Sequence, residues 1–346
     1  MATMLDCVQE LNLPLPPHLG VRDYNINCPN CDTKKNGKHL NINLEKNCFN
    51  CPKCNTGGGP SKFIQLFNNC NEREASDLLS SMGKSSVPRK KEDYVKMATA
   101  LSVEERDRTY TELLNRLSLS EDHRNNLHNR GLSDRDIERL GYKSFTADLN
   151  YDSLAMNLLY DNFKVKGIAG FYQKKDKTWT ISGANGIIVP YRNEKGLIQG
   201  AQIRLDDCKK RKYRWLSSNN MLNGCRAEAQ THLAGKPSKV ILLTEGGMKA
   251  DIVNALTGQT VLAVSGVSCL STLEKELKIL RDDYGLIKIK TAFDMDYFVN
   301  PNVSKAYKKL CELLERMEFN YSTLIWDYEQ KGIDDYYAER QKKKSK

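Results

Sequence analysis

The sequence predicts a multidomain α/β protein with an N-terminal metal-binding ribbon, a mixed α+β region and a C-terminal domain built on a parallel sheet. Three observations lead to this prediction. Two Cys-x2-Cys pairs lie near the N-terminus, a helical pattern in the middle gives way to short apolar runs, and strands alternate with helices in the last third. The length of 346 residues suits two or three domains.

The first predicted domain, residues 1–82, carries the cysteine pattern of a zinc ribbon. Cys28 and Cys31 form one pair, and Cys51 and Cys54 form a second pair after an insert of 19 residues. Each pair turns two thiolates toward one ion, and the insert alternates in polarity as a ribbon strand does. We expect one structural Zn²⁺ bound by all four thiolates. Free thiols or a redox pair are the alternatives.

Cysteine usage as a whole favours a metal site over a disulfide framework. The total of 11 cysteines is odd, and most of them lie in the first 70 residues. Cys48 is predicted to lie in a strand and outside the ligand set.

The charge and hydropathy of the chain limit its partners. The formal net charge of +10 favours a polyanionic partner, with ordinary solubility as the alternative. No apolar run approaches the roughly 20 residues that cross a bilayer, and the N-terminus lacks the basic start of a signal peptide. We therefore expect a cytoplasmic protein without a membrane partner.

The middle of the chain is predicted to be a linker, residues 83–98, followed by a two-part region, residues 99–236. The linker has a small, proline-containing and charged composition. The region begins with helices, the last of which has Ser133 as its N-cap and ends at Gly141. From about residue 150 we expect short strands and turns, with RNEKG at residues 192–196 as a hairpin turn.

From Lys239 onward, four predicted strands alternate with helices. The strands are KVILLTEG, TVLAVSGV, IKIKTAFDMD and STLIWDYE. Strands separated by helices of this length form right-handed βαβ units and a parallel sheet. This α/β domain is assigned to residues 237–340, with a basic tail at residues 341–346.

Carboxylates lie at the ends of three of these predicted strands. Glu245 ends the first strand, Asp294 and Asp296 end the third, and Asp327 ends the fourth. In parallel sheets, functional groups gather beyond the carboxyl ends of the strands. We therefore expect these acids to meet at one edge of the sheet.

A meeting of these acids predicts a divalent-metal site. Hard oxygen ligands suit Mg²⁺ or Mn²⁺, and such a site supports phosphoryl transfer, with Glu245 as a ligand or a general base. Without a metal, clustered carboxylates repel one another. The alternative is that each acid caps a helix or is solvated. Asp334 and Asp335 fit either interpretation.

Basic and aromatic residues alternate between residues 209 and 215. Such a pattern suits a single nucleic-acid strand, because cations follow the phosphates and rings stack on bases. Arg204 and Lys212 are the first candidates for contacts with template or nucleotide. A solvated hairpin tip is the alternative.

These motifs, taken in order, resemble the replicative primases of bacterial type. HNRGLSDRDIERLGY resembles the segment before the polymerase core, and IIVPYRNEKGLIQGAQIRLDD with KYRWLSS resembles the core segment that grips template and nucleotide. The last domain resembles the Rossmann-like TOPRIM module of primases, topoisomerases, certain nucleases and recombination mediators. TEGGMKADIV looks like its glutamate–glycine motif and AFDMDY like its Asp-x-Asp motif.

The resemblance implies a DNA primase that makes short RNA primers on single-stranded DNA from ribonucleoside triphosphates. Glu245, Asp294 and Asp296 would be catalytic and, with Asp327, would hold Mg²⁺ or Mn²⁺. The expected contacts to nucleic acid or nucleotide are Arg192, Arg204, Lys212, Tyr213 and Lys249. The resemblance also implies a separate replicative helicase as partner and a phage, plasmid or integrated element as the setting.

Three positions depart from the primase pattern. Cys31 stands where a histidine ligand is usual, and Lys249 stands where an aspartate is frequent. The third acidic motif is only partly present, at residues 327–329. Two alternatives therefore stay open: a TOPRIM nuclease, and a non-catalytic protein of replication or recombination that binds single-stranded DNA.

Overall fold

The computed structural model describes residues 3–11, 13–17, 20–31, 38–68, 70–82, 97–207, 212–266, 270–294, 301–326, 330 and 332–344. The chain divides into two compact units, Met1–Lys96 and Met97–Lys346. Within the described ranges, every helix is too short or too polar to span a bilayer. The proposed linker lies almost wholly outside these ranges.

The first unit is a small antiparallel sheet with three helices. Strands β1 to β4 pair in chain order, and Leu40 and Ile42 of β2 point into the core while the residues between them stay half-exposed. The elements are α1 (Met4–Glu10), β1 (Asp23–Ile26), β2 (Leu40–Asn43), β3 (Cys48–Cys51), β4 (Thr56–Gly58), α2 (Pro60–Asn68) and α3 (Glu72–Met82). Helices α2 and α3 were not predicted, although Phe63 and Phe67 lie at helical spacing.

The second unit begins with helices and an antiparallel sheet of order β10-β9-β8-β5. Its first elements are α4 (Val103–Asn115), α5 (Glu121–Asn129), α6 (Asp134–Leu140), β5 (Lys143–Phe145), α7 (Tyr151–Tyr160), β6 (Phe171–Gln173), β7 (Trp179–Ile181), β8 (Gly186–Arg192), β9 (Ile198–Leu205) and β10 (Tyr213–Trp215). The predicted cap and hairpin are confirmed. Ser133 caps α6, Gly141 ends it with φ of 74°, and β8 pairs with β9 around RNEKG.

The prediction of only strands and turns from residue 150 was wrong at α7. The Asn150 side chain accepts a hydrogen bond from the Ser153 backbone N–H, which starts a helix there. Ala155 and Leu158 then bury one helical face. Helical spacing was present in YDSLAMNLLY, at Ala155 and Leu158, but no helix was predicted there.

The predicted parallel sheet is confirmed in the remainder of the second unit. Its order is β11-β13-β12-β14-β15, with β11 antiparallel and the other four strands parallel. The elements are β11 (His232–Ala234), β12 (Val240–Glu245), α8 (Gly247–Thr257), β13 (Val261–Val264), α9 (Leu270–Tyr284), β14 (Lys288–Thr291), α10 (Pro301–Arg316), β15 (Asn320–Thr323) and α11 (Ile333–Lys344). Along β12, Ile241 and Leu243 enter one core and Leu242 the core on the opposite face.

The last predicted strand, STLIWDYE, was wrong in its extent. Strand β15 ends at Thr323, because the following apolar residues leave the sheet. Trp326 packs with Ile333 in the core beneath α11, and its indole N–H donates to the Gln330 carbonyl at 2.8 Å. Asp327, predicted to end this strand, lies outside the described residues.

Candidate functional site

The first unit brings together the four predicted cysteine ligands. The Sγ atoms of Cys28, Cys31, Cys51 and Cys54 all lie within 4.8 Å of one another. The Cys28–Cys54 and Cys31–Cys51 Sγ distances are both 3.6 Å. Four sulfurs placed about 2.3 Å from a tetrahedral Zn²⁺ would lie about 3.8 Å apart. The cluster therefore has the size and donor set of a closed structural zinc site.

Local contacts set different environments for these thiols. The Thr56 hydroxyl lies 3.3 Å from Cys54 Sγ, and its hydrogen bond lowers the pKa of Cys54 to about 6. Burial raises the pKa of Cys28 to about 12. Cys48 begins β3 and is not part of the cluster.

In the second unit, two of the predicted acids reach the same edge of the parallel sheet. Glu245 is the last residue of β12, and Asp294 follows three residues after the end of β14. Because β12 and β14 are adjacent and parallel, both side chains line one cavity of about 470 Å³. We call it the edge cavity. Asp296 lies outside the described residues.

The glycines after Glu245 let the chain turn tightly against a neighbouring strand. Gly246 has φ of 89°, in the left-handed region that favours glycine. The Gly247 N–H donates to the Tyr191 hydroxyl at 3.0 Å, and a Cβ at Gly247 would lie 2.9 Å from the Tyr191 ring. The Tyr191 hydroxyl in turn donates to Gln202 Oε1 at 2.9 Å. These contacts fix the position of the turn that follows Glu245, which borders the edge cavity.

Helix α11 contributes two more carboxylates to the edge cavity. Asp334 and Asp335 lie in its first turn, and both line the cavity. The Asp334 side chain is 5 % exposed, and its Oδ2 accepts a hydrogen bond from Arg130 at 3.5 Å. Its Oδ1 is buried without a hydrogen-bond partner. Burial raises the pKa of Asp334. A buried orphan oxygen of this kind indicates an ion or water at the site.

Three cations face these acids across the cavity: Arg130, Lys212 and Lys249. Lys249 forms an ion pair with Asp294. Burial lowers the pKa of Lys212, and the nearby charges of Arg130, Arg204 and Lys249 add to this effect. The edge cavity therefore combines carboxylates with cations, as a site for a metal-bound polyphosphate requires.

The other predicted nucleotide contacts differ in position. Tyr213 lines the edge cavity, and its hydroxyl approaches Met248 Sδ at 3.7 Å. Arg204 pairs with Tyr213 across β9 and β10, and its Nε is buried without a hydrogen bond. The Arg192 guanidinium is bound to backbone carbonyls, those of Gly196 at 3.3 Å and Leu140 at 3.4 Å. It does not line the cavity.

Asp251 does not take the place of the acid that is absent at position 249. It is buried, where its Oδ2 accepts a hydrogen bond from the Tyr142 hydroxyl at 2.6 Å and its Oδ1 lies 2.9 Å from His232 Nε2. The Arg192 backbone N–H donates to His232 Nδ1 at 2.9 Å, so His232 Nε2 carries the proton toward Asp251. This network joins α8 to β8 and β11.

The donor set of the edge cavity fits a divalent cation. Among the described residues, only the cysteines bring three ligand atoms within 4.8 Å of one another, so the described carboxylates border the cavity without forming such a cluster. They are hard oxygen donors, and the orphan Oδ1 of Asp334 lacks the partner that a cation would supply. Glu245, Asp294, Asp334 and Asp335 are the described residues that would hold it.

Sequence analysis missed Arg130, Gln202 and Ser265, which also line the edge cavity. Arg130 lies in HNRGLSD, so a signal for it was present in the motif. Nothing in the sequence shows that Arg130 meets Asp334 across 204 positions.

Comparison with known structures identifies the fold. The zinc-binding and RNA polymerase domains of Aquifex aeolicus primase match all of this chain and 84% of theirs, with a TM-score of 0.54 and 16% identity. The fold is that of a bacterial primase core. The RNA polymerase domain of Mycobacterium tuberculosis primase DnaG matches 69% of this chain and 82% of its own length, with a TM-score of 0.51 and 14% identity.

A DnaG primase catalytic domain bound to single-stranded DNA matches 70% of this chain and 76% of its own, with a TM-score of 0.50 and 12% identity. A family model described as a domain of unknown function, DUF3854, matches residues 231–344. A search of the curated proteins gave no match. At these identities the similarity establishes the primase fold, and activity has to be argued from the residues.

Proposed function

We propose that the protein is a DNA primase, a nucleotidyltransferase that makes short RNA primers on single-stranded DNA. One observation carries the proposal: within a primase fold, the edge cavity combines Glu245 and Asp294 with the orphan oxygen of Asp334 and with three cations. A volume of about 470 Å³ leaves room for a nucleotide's phosphates beside a metal ion.

Each group of the cavity has a separate task in this proposal. Glu245, Asp294 and Asp334, together with Asp296, are proposed to hold Mg²⁺ or Mn²⁺. Such a cation lowers the pKa of the attacking 3′-hydroxyl and neutralises charge on the leaving pyrophosphate. Arg130, Lys212 and Lys249 bind the triphosphate oxygens and orient the nucleotide.

The cysteine cluster is proposed to hold one Zn²⁺ and to help bind the single-stranded template. All four ligands come from the protein, which leaves no open position for chemistry at the metal. The net charge of +10 favours the polyanionic template, and a structure of similar fold is bound to single-stranded DNA. A separate helicase and the setting of a phage, plasmid or integrated element stay predictions.

Primer synthesis tests the proposal. The full chain with Zn²⁺ is incubated with single-stranded DNA, ribonucleoside triphosphates and Mg²⁺ or Mn²⁺, and products are resolved on a denaturing gel. We expect short RNA oligomers from wild type and none from Glu245→Gln. Degradation of the DNA without nucleotides would instead indicate the TOPRIM nuclease.

One observation favours a second candidate, a non-catalytic protein that binds single-stranded DNA. Asp294 is already paired with Lys249. This pair balances the Asp294 charge without a metal. In that case wild type would make no primers, and Glu245→Gln would bind DNA as wild type does. Lys212→Met would weaken binding.

A further inference from the structure

Lys249 occupies an unusual position among the cavity cations. It lies in the first turn of α8, four residues after Glu245, and its ammonium pairs with Asp294. The two side chains are only 23 % and 19 % exposed, so solvent screens the pair less than it would on the surface. The one described acid at the end of β14 is thus neutralised by the chain itself.

The charge of Lys249 also acts on two other residues that line the edge cavity, Asp334 and Lys212. It opposes the burial effect on the pKa of Asp334, and it contributes to the lowered pKa of Lys212. Gly332, two residues before Asp334, lies within reach of the Lys249 side chain, since a Cβ there would be 3.5 Å from Lys249 Cε. The ammonium is therefore placed between the β14 end and the start of α11.

We propose that Lys249 is the resident cation of the edge cavity. It holds Asp294 until a divalent cation binds there, and the displaced ammonium then binds a phosphate oxygen of the substrate. This proposal rests on the proposed function and deepens it. The cavity consequently takes one divalent cation rather than two, because the Lys249 ammonium supplies the second positive charge.

Two linked consequences follow from this exchange. A divalent cation has to displace the ammonium from Asp294, so the ion pair weakens metal binding. A phosphate group that accepts the displaced ammonium removes this cost, so phosphate and metal favour each other's binding. Such coupling between ligands is reciprocal by thermodynamic linkage.

Mn²⁺ titration followed by electron paramagnetic resonance of the free ion tests the first consequence. The probe is Mn²⁺ alone, added to the full chain loaded with Zn²⁺. The variants are Lys249→Met, which removes the charge with little change of shape, and Lys249→Arg, which keeps it. Lys212→Met is the matched control, because it removes one charge from the same cavity without freeing Asp294.

We expect wild type to bind one Mn²⁺ in the cavity, and Lys249→Met to bind it about tenfold more tightly, since one close ion pair is removed. The Mn²⁺ affinity of Lys249→Arg should stay within about threefold of that of wild type. Lys212→Met should tighten Mn²⁺ binding less than Lys249→Met does. Equal effects of Lys249→Met and Lys212→Met would overturn the proposal. Two cavity-bound Mn²⁺ ions in wild type would also overturn it.

Inorganic phosphate is the probe for the second consequence. Corrected for a protein-free blank, saturating phosphate should raise the Mn²⁺ affinity of wild type at least about fivefold. The same addition of phosphate should leave the Mn²⁺ affinity of Lys249→Met nearly unchanged. Equal enhancement in both proteins would show that phosphate does not use Lys249.

These titrations separate failure of this inference from failure of the proposed function. Mn²⁺ binding that Asp294→Asn abolishes, but that Lys249→Met leaves unchanged, overturns the inference and leaves the primase proposal in place. Mn²⁺ binding that Asp294→Asn does not affect removes the metal site on which both depend. Zinc content and tryptophan fluorescence, measured in every variant, show that the zinc site is loaded and that the second unit, which carries all three tryptophans, is folded.

Discussion

The cysteine cluster and the edge cavity hold their ligands in opposite ways. In the first unit, four like donors lie within 4.8 Å of one another, and their spacing leaves space for one ion alone. In the second unit, acids and cations border a cavity of about 470 Å³ without forming a comparable cluster. The first arrangement stabilises a fold, whereas the second leaves room for a substrate.

The two sites also differ in how much they depend on the rest of the chain. The cysteines come from two short turns of one small sheet, so a local pattern defines them. The edge cavity takes residues from β9, β10, β12, α8 and α11 and from the segments that follow α5, β13 and β14. Its geometry therefore depends on the packing of the whole second unit.

Removal of a zinc ligand should give the largest effect, and that effect should be confined to the first unit. Cys51→Ser is expected to lose Zn²⁺ and unfold the first unit, since structural zinc contributes about 10–16 kcal/mol in small domains. Limited proteolysis measures whether the first unit is unfolded. Tryptophan fluorescence measures the second, because Trp179, Trp215 and Trp326 all lie there. Loss of the native fluorescence would show that the units do not fold independently.

Loss of the orphan carboxylate should give the next largest effect. Asp334→Asn is expected to lower primer synthesis about 10²–10³-fold, because it removes a carboxylate from the proposed metal site. Zinc content and fluorescence should stay unchanged. Asp152→Asn, which breaks an exposed ion pair with Lys174 outside the cavity, is the control. Equal activities of the two variants would contradict a role for Asp334.

A pH titration should separate the stabilities of the two units. Glu276 in α9 is buried with Oε1 lacking a partner, and burial raises its pKa from 4.5 to about 7. The folded state thus keeps a proton that the unfolded chain releases above pH 4.5. The stabilising contribution is complete below 4.5 and is lost as pH rises to about 7.

The second unit should accordingly lose roughly 2–3 kcal/mol between pH 4.5 and pH 8 through this group. Urea unfolding followed by tryptophan fluorescence measures the loss. Glu276→Gln should remove this part of the pH dependence and should leave the zinc-bearing unit unaffected. An unchanged pH dependence in Glu276→Gln would exclude this carboxyl as its source.

The smallest effect is expected at Arg192. Its guanidinium is bound to backbone carbonyls, so Arg192→Met should change the KM for nucleotides by less than about twofold. Lys212→Met, which removes a cation from the edge cavity, should raise that KM about tenfold. Steady-state kinetics of primer synthesis compares the two. The reverse order would show that the nucleotide lies along the β8–β9 hairpin instead.

Local patterns made much of the fold predictable. The C-x2-C spacing placed all four cysteines, the Ser133 and Gly141 signals placed α6, and the alternation of strands and helices gave the parallel sheet. Helix α7 was missed although its apolar residues lie at helical spacing, because the whole stretch from residue 150 was assigned to short strands and turns. Strand β15 was overextended because Trp326 packs under α11 rather than in the sheet.

The candidate site could be predicted only in part. Glu245 and Asp294 were found because adjacent parallel strands end at one edge. The contact between Arg130 and Asp334 Oδ2 could not be found, because it depends on packing between segments 204 positions apart. The pairing of Lys249 with Asp294 likewise follows from the turn after β12, which the glycines set.

Anomalous scattering from crystals soaked with Mn²⁺ and a non-hydrolysable ribonucleoside triphosphate would test the central claim most directly. We expect one Mn²⁺ peak in the edge cavity among Glu245, Asp294 and Asp334, with the phosphates on Arg130, Lys212 and Lys249. A cavity without Mn²⁺, or a triphosphate bound elsewhere on the chain, would contradict metal-dependent nucleotidyl transfer at this site.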